Sequence, residues 1–523
     1  MYKTCLILMT VLFLLSCKKD KNKDSEKFSF TVPSAVCDVP AIADMTGAVL
    51  WGDGTAASCT QQKLQTLINQ GGKIKFNGGD ADFVLALTST LTIPVGKEVI
   101  IDGNGHLTID GQNAYRIFDK KAPANQAAGT LFALQNMNLV NGLAKLNNDE
   151  RGGAAIYGRT FGSLHIINVN FQNNNGPVSA SDDCGAVHTI MYKDVLFANC
   201  NFINNNGANG GAVGTIGSAM SFINCKFTNN RATGGGGTFS KGGSGGAIYV
   251  DGVDQNGSAN KYISICGCTF EGNTAGYQAG AVNIVFYQNT SSYASINKSS
   301  FSKNSCDIDK GGACYVMNGD LSVSNCTFSQ NTSPTQGGGI WTTNSNMTLV
   351  NNTFYQNKAV KGADGLGGAV TLGATTATIT NCTFSENQAG NFASAIFNGG
   401  TLAITNNLFY KNLIGTGYQS NPYGGAVINK ETNLTVNDGN MQYPTDFTGQ
   451  WGTMKDYWLI AKVLTSDALL GALADNGGPT QTMALPANST AIGKGTATGA
   501  PATDQRGTTR KSPPDIGAYE TTK

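Results

Sequence analysis

Leu321-Ser322-Val323-Ser324-Asn325-Cys326-Thr327-Phe328-Ser329-Gln330-Asn331 is one copy of a pattern that recurs along this 523-residue chain. Leu321 and Val323 alternate with Ser322 and Ser324 in the period-two manner of a strand. A phenylalanine followed three residues later by asparagine then recurs nine times, at Phe171, Phe202, Phe227, Phe270, Phe301, Phe328, Phe354, Phe384 and Phe409, ending on Asn412. Between copies lies a small-residue cluster leading into an aliphatic, as in Gly246-Ala247-Ile248, Gly280-Ala281-Val282 and Gly368-Ala369-Val370. Two interleaved signals sharing one period mark a single structural unit, repeated.

The phenylalanines are 25 to 43 residues apart, and each unit contains two or three runs of strand length, such as Leu402-Ala403-Ile404-Thr405. Three residues before each phenylalanine stand Asn168, Asn199, Asn224, Gly267, Lys298, Asn325, Asn351, Asn381 and Asn406. Asn and Gly tolerate positive φ best, so this position predicts a left-handed corner. Equivalent asparagines stacked about 4.8 Å apart would form side-chain amide ladders. The pattern predicts an all-β, right-handed parallel β-helix with inward Phe and Val/Ile columns. Leucine-rich repeats would need an LxxLxL frame and a propeller a longer blade motif. Insertions at 232–245 and 253–261 should loop outward. Thr60 to Gln70, with Leu64, Leu67 and Ile68 at helical spacing and Gly71-Gly72 as a stop, predicts a short N-terminal capping helix. Lys73-Ile74-Lys75-Phe76 should then open the first strand. Val99–Gly105, Leu107–Gly111 and 131–142 should be the next rungs.

Formal charge is +1, and only 13% of residues are charged. No basic patch points to nucleic acid and no acidic bias to a cationic partner. The chain opens with Lys3 and a mainly apolar run from Leu6 to Leu15, too short for a membrane span. Leu14-Leu15-Ser16-Cys17 then resembles a lipobox, which implies cleavage before Cys17, lipidation of its sulfur, and a lysine-rich tether. The expected organisation is a signal peptide at 1–16, a lipid-anchored tether at 17–36, the β-helix at 37–440 and a C-terminal cap at 441–523.

The FxxN and GGA[IV] pairs, from about 150 to 430, are similar to the repeats of the polymorphic outer-membrane protein family. Leu469-Leu470-Gly471-Ala472-Leu473-Ala474-Asp475-Asn476-Gly477-Gly478-Pro479-Thr480, Asp504-Gln505-Arg506-Gly507 and Asp515-Ile516-Gly517-Ala518-Tyr519-Glu520 resemble the choice-of-anchor Q domain, which caps bacterial surface β-helix proteins. The first resemblance implies a surface role but departs from its family in lacking a segment for a C-terminal barrel, so self-translocation is not expected. The second implies an anchor. No sorting signal follows Glu520, which makes Cys17 the expected anchor and the outer membrane the expected location, with its exposed side open. Asp504, Arg506, Arg510, Asp515 and Glu520 are expected to form structural ion pairs within the cap.

Thirteen cysteines are present. With Cys5 lost and Cys17 lipidated, eleven remain in an oxidising compartment, and an odd number cannot all pair. Cys200, Cys225, Cys268, Cys326 and Cys382 each precede a repeat phenylalanine by two residues, which allows either buried free thiols or inter-rung disulfides. Cys37 and Cys59 flank the start of the folded region and are the disulfide candidates. No CxxC pair or histidine cluster supports a metal, and no cofactor is expected.

The β-helix scaffold also hosts polysaccharide lyases and hydrolases, which need converging carboxylates and a base. Asp182, Asp183, Lys193 and Asp194 are the densest charged group, and Asp307, Asp309 and Lys310 the next. Charge on loops is ordinarily solvated, and the histidines His106, His165 and His188 are far apart. A binding face is better supported. The residue after each cluster's aliphatic should point outward by alternation, placing Tyr249, Asn283, Tyr315 and Trp341 in one column able to stack on sugar rings, unless loops cover it. The expected function is a lipid-anchored surface β-helix for adhesion or for binding a glycan or extracellular-matrix surface, without catalysis; the alternative is a polysaccharide lyase or glycoside hydrolase.

Overall fold

A computed structural model describes residues 30–121, 129–145, 152–178, 184–234, 242–253, 261–287, 291–361, 364–391, 393–414, 427–428, 434–444 and 463–522. The chain winds into a parallel β-solenoid. A representative turn runs Ile340–Thr343, Ser345–Val350, Thr353–Tyr355 and Lys358–Ala359, and each strand pairs in parallel with its equivalent one turn on. The register keeps like on like: Phe328 faces Phe354, which faces Phe384, which faces Phe409. All nine repeat phenylalanines form one buried column, with ring centroids 4.6–5.1 Å apart and rings within 1–11° of parallel.

The asparagine three residues after each phenylalanine closes the turn from inside. Asn331 Oδ1 accepts the backbone N–H of Asn304 at 3.0 Å and its Nδ2 at 2.9 Å, while Asn331 Nδ2 donates to Phe301 O at 2.9 Å. The same bonds recur at buried positions from Asn174 to Asn412. Each side chain satisfies polar groups that burial would otherwise leave unpaired.

All nine predicted corner residues have positive φ, from Lys298 at 48° to Gly267 at 66°. A second left-handed corner follows two residues after each phenylalanine, including Lys303, Gln330, Glu386 and Lys411. Asn or Gly stands there only in the first four copies, at Asn173, Asn204, Asn229 and Gly272; in the later copies stacking above and below holds a backbone that Lys, Gln and Glu would not choose alone.

The five repeat cysteines are buried free thiols. Their column also holds Ser299, Asn352, Asn407 and Asn440, and its members accept backbone N–H groups from the preceding turn, as Cys326 Sγ does from Ser299 N and Asn352 Oδ1 from Cys326 N. Thiol, hydroxyl and amide are interchangeable there because each supplies an acceptor.

At the front, the helix Gln61–Gln70 is capped by Thr60, stopped at Gly71, and buries Leu64 and Ile68. Val49–Trp51 pairs with Gly72–Phe76, so the stack begins one strand earlier than Lys73. Val99–Asp110 is a single strand with a bulge against Phe132–Val140, so the two stretches expected as separate rungs share one turn. The strand Met441–Tyr443 continues the solenoid just past residue 440 by pairing with Leu408–Tyr410.

Two segments fold back along the outer Asn corners. Residues 30–46 form a strap: Thr31 O accepts from Asn201 Nδ2, Asn224 Oδ1 accepts the N–H groups of Val36 and Cys37, and Gln135 bonds both polar groups of the Ala43 backbone. Cys37 is bonded to Cys266, 229 residues away. The expected pairing with Cys59 does not form, because Cys59 is a buried thiol turned to Trp51 O at 3.3 Å beneath the capping helix. The C-terminal segment covers the later corners. Asn351 Nδ2 donates to Thr503 O and Asn406 Nδ2 to Thr496 O, while Gln505 bridges Thr327 and Thr353. Inside it, Arg506 pairs with Asp504 at 2.7 Å and Arg510 with Glu520 at 3.2 Å, all largely buried.

Candidate binding groove

Asp182, Asp183 and Cys17 lie outside the described residues. Asp194 opens the strand Asp194–Ala198, where its carboxylate accepts from His165 Nε2 at 2.8 Å and Ser163 Oγ at 2.6 Å. The His165 bond holds the Asp194 carboxyl below its ordinary range, helped by Ser163. Asp309 and Lys310 lie instead in the turn feeding Cys314–Met317, on a different sheet and several turns on. Lys193–Asp194 and Asp309–Lys310 therefore share no cleft. Among the described residues no three His, Cys, Asp or Glu side chains are grouped to hold a metal, and no helix is long and apolar enough to cross a membrane.

The aromatic column forms in register as expected. Tyr249 faces Asn283, which faces Tyr315, which faces Trp341, and the last two rings stack at 4.4 Å. It is not an open surface. Tyr315 is 8% exposed, Trp341 7% and Asn283 1%. The cover is a second column five residues upstream: Gln278 Nε2 donates to Asn283 Oδ1, Gln336 Oε1 accepts from Trp341 Nε1, and Lys310 Nζ lies 4.8 Å over the Trp341 ring. Lys310, Gln336 and Leu366 bridge one another in parallel. Tyr249 alone of the four is half-buried. A sugar ring has no face to stack on at Tyr315 or Trp341.

Farther toward the N-terminus the same face carries a closed polar cluster. Arg116 pairs with Asp119 at 3.2 Å and stacks on Tyr157, which meets His188 edge-on. Tyr192 is buried nearby, and burial pushes its phenol upward. Arg116, Tyr157, His188 and Tyr192 are all buried, so this cluster ties the early turns together.

The open site lies at the next corner. Cys314–Met317 reaches Asp320–Ser324 through Asn318-Gly319, Ile340–Thr343 reaches Ser345–Val350 through Asn344, and Val370–Leu372 reaches Thr375–Thr380 through Gly373-Ala374. Those turns of one or two residues leave nothing to fold over that stretch, whereas the connection ahead of Tyr293 is longer, running from 286 to 292. A Cβ on Gly319 would meet the Phe286 ring at 2.2 Å, so glycine is required at that floor position. The result is a groove of about 690 Å³ across five successive turns, from Ser291 to Thr401.

Along one wall Tyr293, Asp320, Asn346, Thr376 and Thr401 occupy a single register column. Asn346 Nδ2 donates to Asp320 Oδ1 at 2.9 Å, and Asn344 Nδ2 to Asn318 Oδ1 at 3.2 Å. The inward corner presents Ser292, Ser345 and Thr375. Tyr293 is 49% exposed, and its ring lies 6.2 Å from that of Tyr262 on the preceding turn. Among the described lining residues Asp320 is the one carboxylate, and none is a lysine, arginine or histidine. Sequence reading missed this site, although the short turns after residue 317 and the alternating Ser/Thr/Asn positions were both visible.

One family model agrees with the architecture. Residues 238–441 match the family model described as right handed beta helix region. Among solved structures, the crystal structure of PfbA, a surface adhesin of Streptococcus pneumoniae, is 12% identical, with 69% of this chain and 91% of that chain covered and a TM-score of 0.34. No curated protein sequence matches the chain.

Proposed function

We propose that this protein is a lipid-anchored surface β-helix of the outer membrane that holds an extended ligand, a glycan or an extracellular-matrix polymer, along its flank and acts by adhesion rather than by chemistry. The groove carries this reading: it runs with the solenoid axis over five turns and is walled by exposed hydroxyls, amides and one open tyrosine. Such groups recognise a polyhydroxylated chain through hydrogen bonds and ring stacking. Glycoside cleavage needs a second carboxylate facing the first, and Asp320 has no such partner among the described lining residues. The aromatic column at Tyr315 and Trp341 belongs to the scaffold in this reading.

The test is a glycan array probed with wild type, Tyr293→Ala and Trp341→Ala. Binding should fall with Tyr293→Ala and persist with any folded Trp341→Ala protein; array signal unaffected by Tyr293→Ala would remove the groove as the site. Anchoring is tested separately, since Cys17→Ser should move the protein out of the membrane fraction.

A further inference from the structure

We infer that the groove selects an uncharged, unbranched glycan lying parallel to the solenoid axis, with one sugar ring on the Tyr262–Tyr293 platform and the following sugars on the Asp320–Asn346–Thr376 column. This rests on the groove being the binding site and adds the class of ligand.

Three features decide the class. The first is repeat: outward positions in one register column recur about every 4.8 Å along the groove, roughly 19 Å over its five turns, so the surface matches a polymer whose own repeat is one sugar ring rather than a compact ligand. The second is polarity. Asn amides and Ser/Thr hydroxyls supply donors and acceptors together, as a hydroxyl-covered chain requires. An extended peptide is poorly matched, because the groove is a sheet face whose backbone groups are already used between turns, which leaves no edge for strand addition.

Charge is the third feature. A polyuronate, a sulfated glycan or a nucleic acid would bring negative charge at each repeat past the Asp320 carboxylate, with no lysine, arginine or histidine among the described lining residues to meet it. Asn346 holds Asp320 through Oδ1, orienting the carboxylate to accept from sugar hydroxyls. Tyr293 keeps half its surface in solvent beside Tyr262, as a stacking platform must.

The test titrates the full mature chain, by calorimetry at low salt, with linear hexasaccharides of glucose, xylose, mannose and N-acetylglucosamine, and with hexagalacturonate as the anionic probe. At least one neutral hexasaccharide should bind, at least about tenfold more tightly than hexagalacturonate, and Tyr293→Ala should weaken it roughly tenfold. Asp320→Lys should reverse the preference by strengthening hexagalacturonate. Because both side chains are exposed, unchanged thermal unfolding of each variant confirms that the fold is kept. Hexagalacturonate binding as tightly as the best neutral sugar, and still sensitive to Tyr293→Ala, would overturn the ligand class while leaving the groove as the site. Absence of any Tyr293-dependent binding would overturn both.

Discussion

Two outward columns, one turn of the corner apart, meet opposite fates. Asn283, Tyr315 and Trp341 point away from the core by strand alternation, yet are buried under Gln278, Lys310 and Gln336. Tyr293, Asp320, Asn346 and Thr376 point outward by the same rule and stay open. The difference is the turn beside them. Upstream of the first column the chain carries enough residues to lay a cover across it, whereas Asp320, Asn346 and Thr376 lie on strands that follow turns of one or two residues. Alternation decides direction; at Asp320, Asn346 and Thr376 the short turn leaves the outward side chain uncovered.

Substitutions can break or sharpen this contrast. The largest loss should come from the buried asparagine ladder that both columns depend on for their scaffold: Asn331→Ala removes an acceptor for two N–H groups and a donor to Phe301 O at a fully buried site, and should cost about 4 kcal/mol in denaturant unfolding. Trp341→Ala, in the covered column, should cost about 3 kcal/mol while leaving ligand binding intact; a loss of binding without a loss of stability would mean the column is open after all. Cys266→Ser, which removes the strap's covalent tie, should cost about 3 kcal/mol, and reductant should lower the unfolding midpoint of wild type but not of the variant.

The smallest effects belong to exposed positions. Tyr293→Ala should change stability by less than about 0.5 kcal/mol and act on binding alone. Asp194 contributes a modest acid sensitivity. Its folded pKa is depressed below 3.8, so its contribution is present above that value and is lost as pH falls through the folded pKa. Being partly exposed, the pair with His165 should be worth below about 1 kcal/mol. Asp194→Asn should therefore narrow the gap between unfolding midpoints measured at pH 7 and pH 3, and an unchanged gap would show that other carboxylates govern it.

Much of the scaffold was legible because a solenoid repeats its contacts. Nine phenylalanines, their following asparagines and the left-handed corners all predict columns, and the columns are there. The Cys37–Cys266 bond was not legible: neighbours in sequence, Cys37 and Cys59, looked like partners, but the strap runs up the outside to a turn that only folding brings near. Nor was the backward path of the C-terminal segment, whose partners Asn351, Asn381 and Asn406 stand in the corner ladder. The candidate site was half legible. Outward columns could be read from alternation, and the wrong one was favoured because aromatic residues advertise a surface and serine, threonine and asparagine do not.

By itself the sequence determined the coil, its register, and which side chains face in or out, since those depend on local backbone preference and on a period that every turn obeys. Tertiary structure alone decided which outward face stays wet, which cysteines meet, and where strap and cap lie. Those outcomes come from single, non-repeating contacts between residues far apart in the chain, and a repeat pattern carries no record of them.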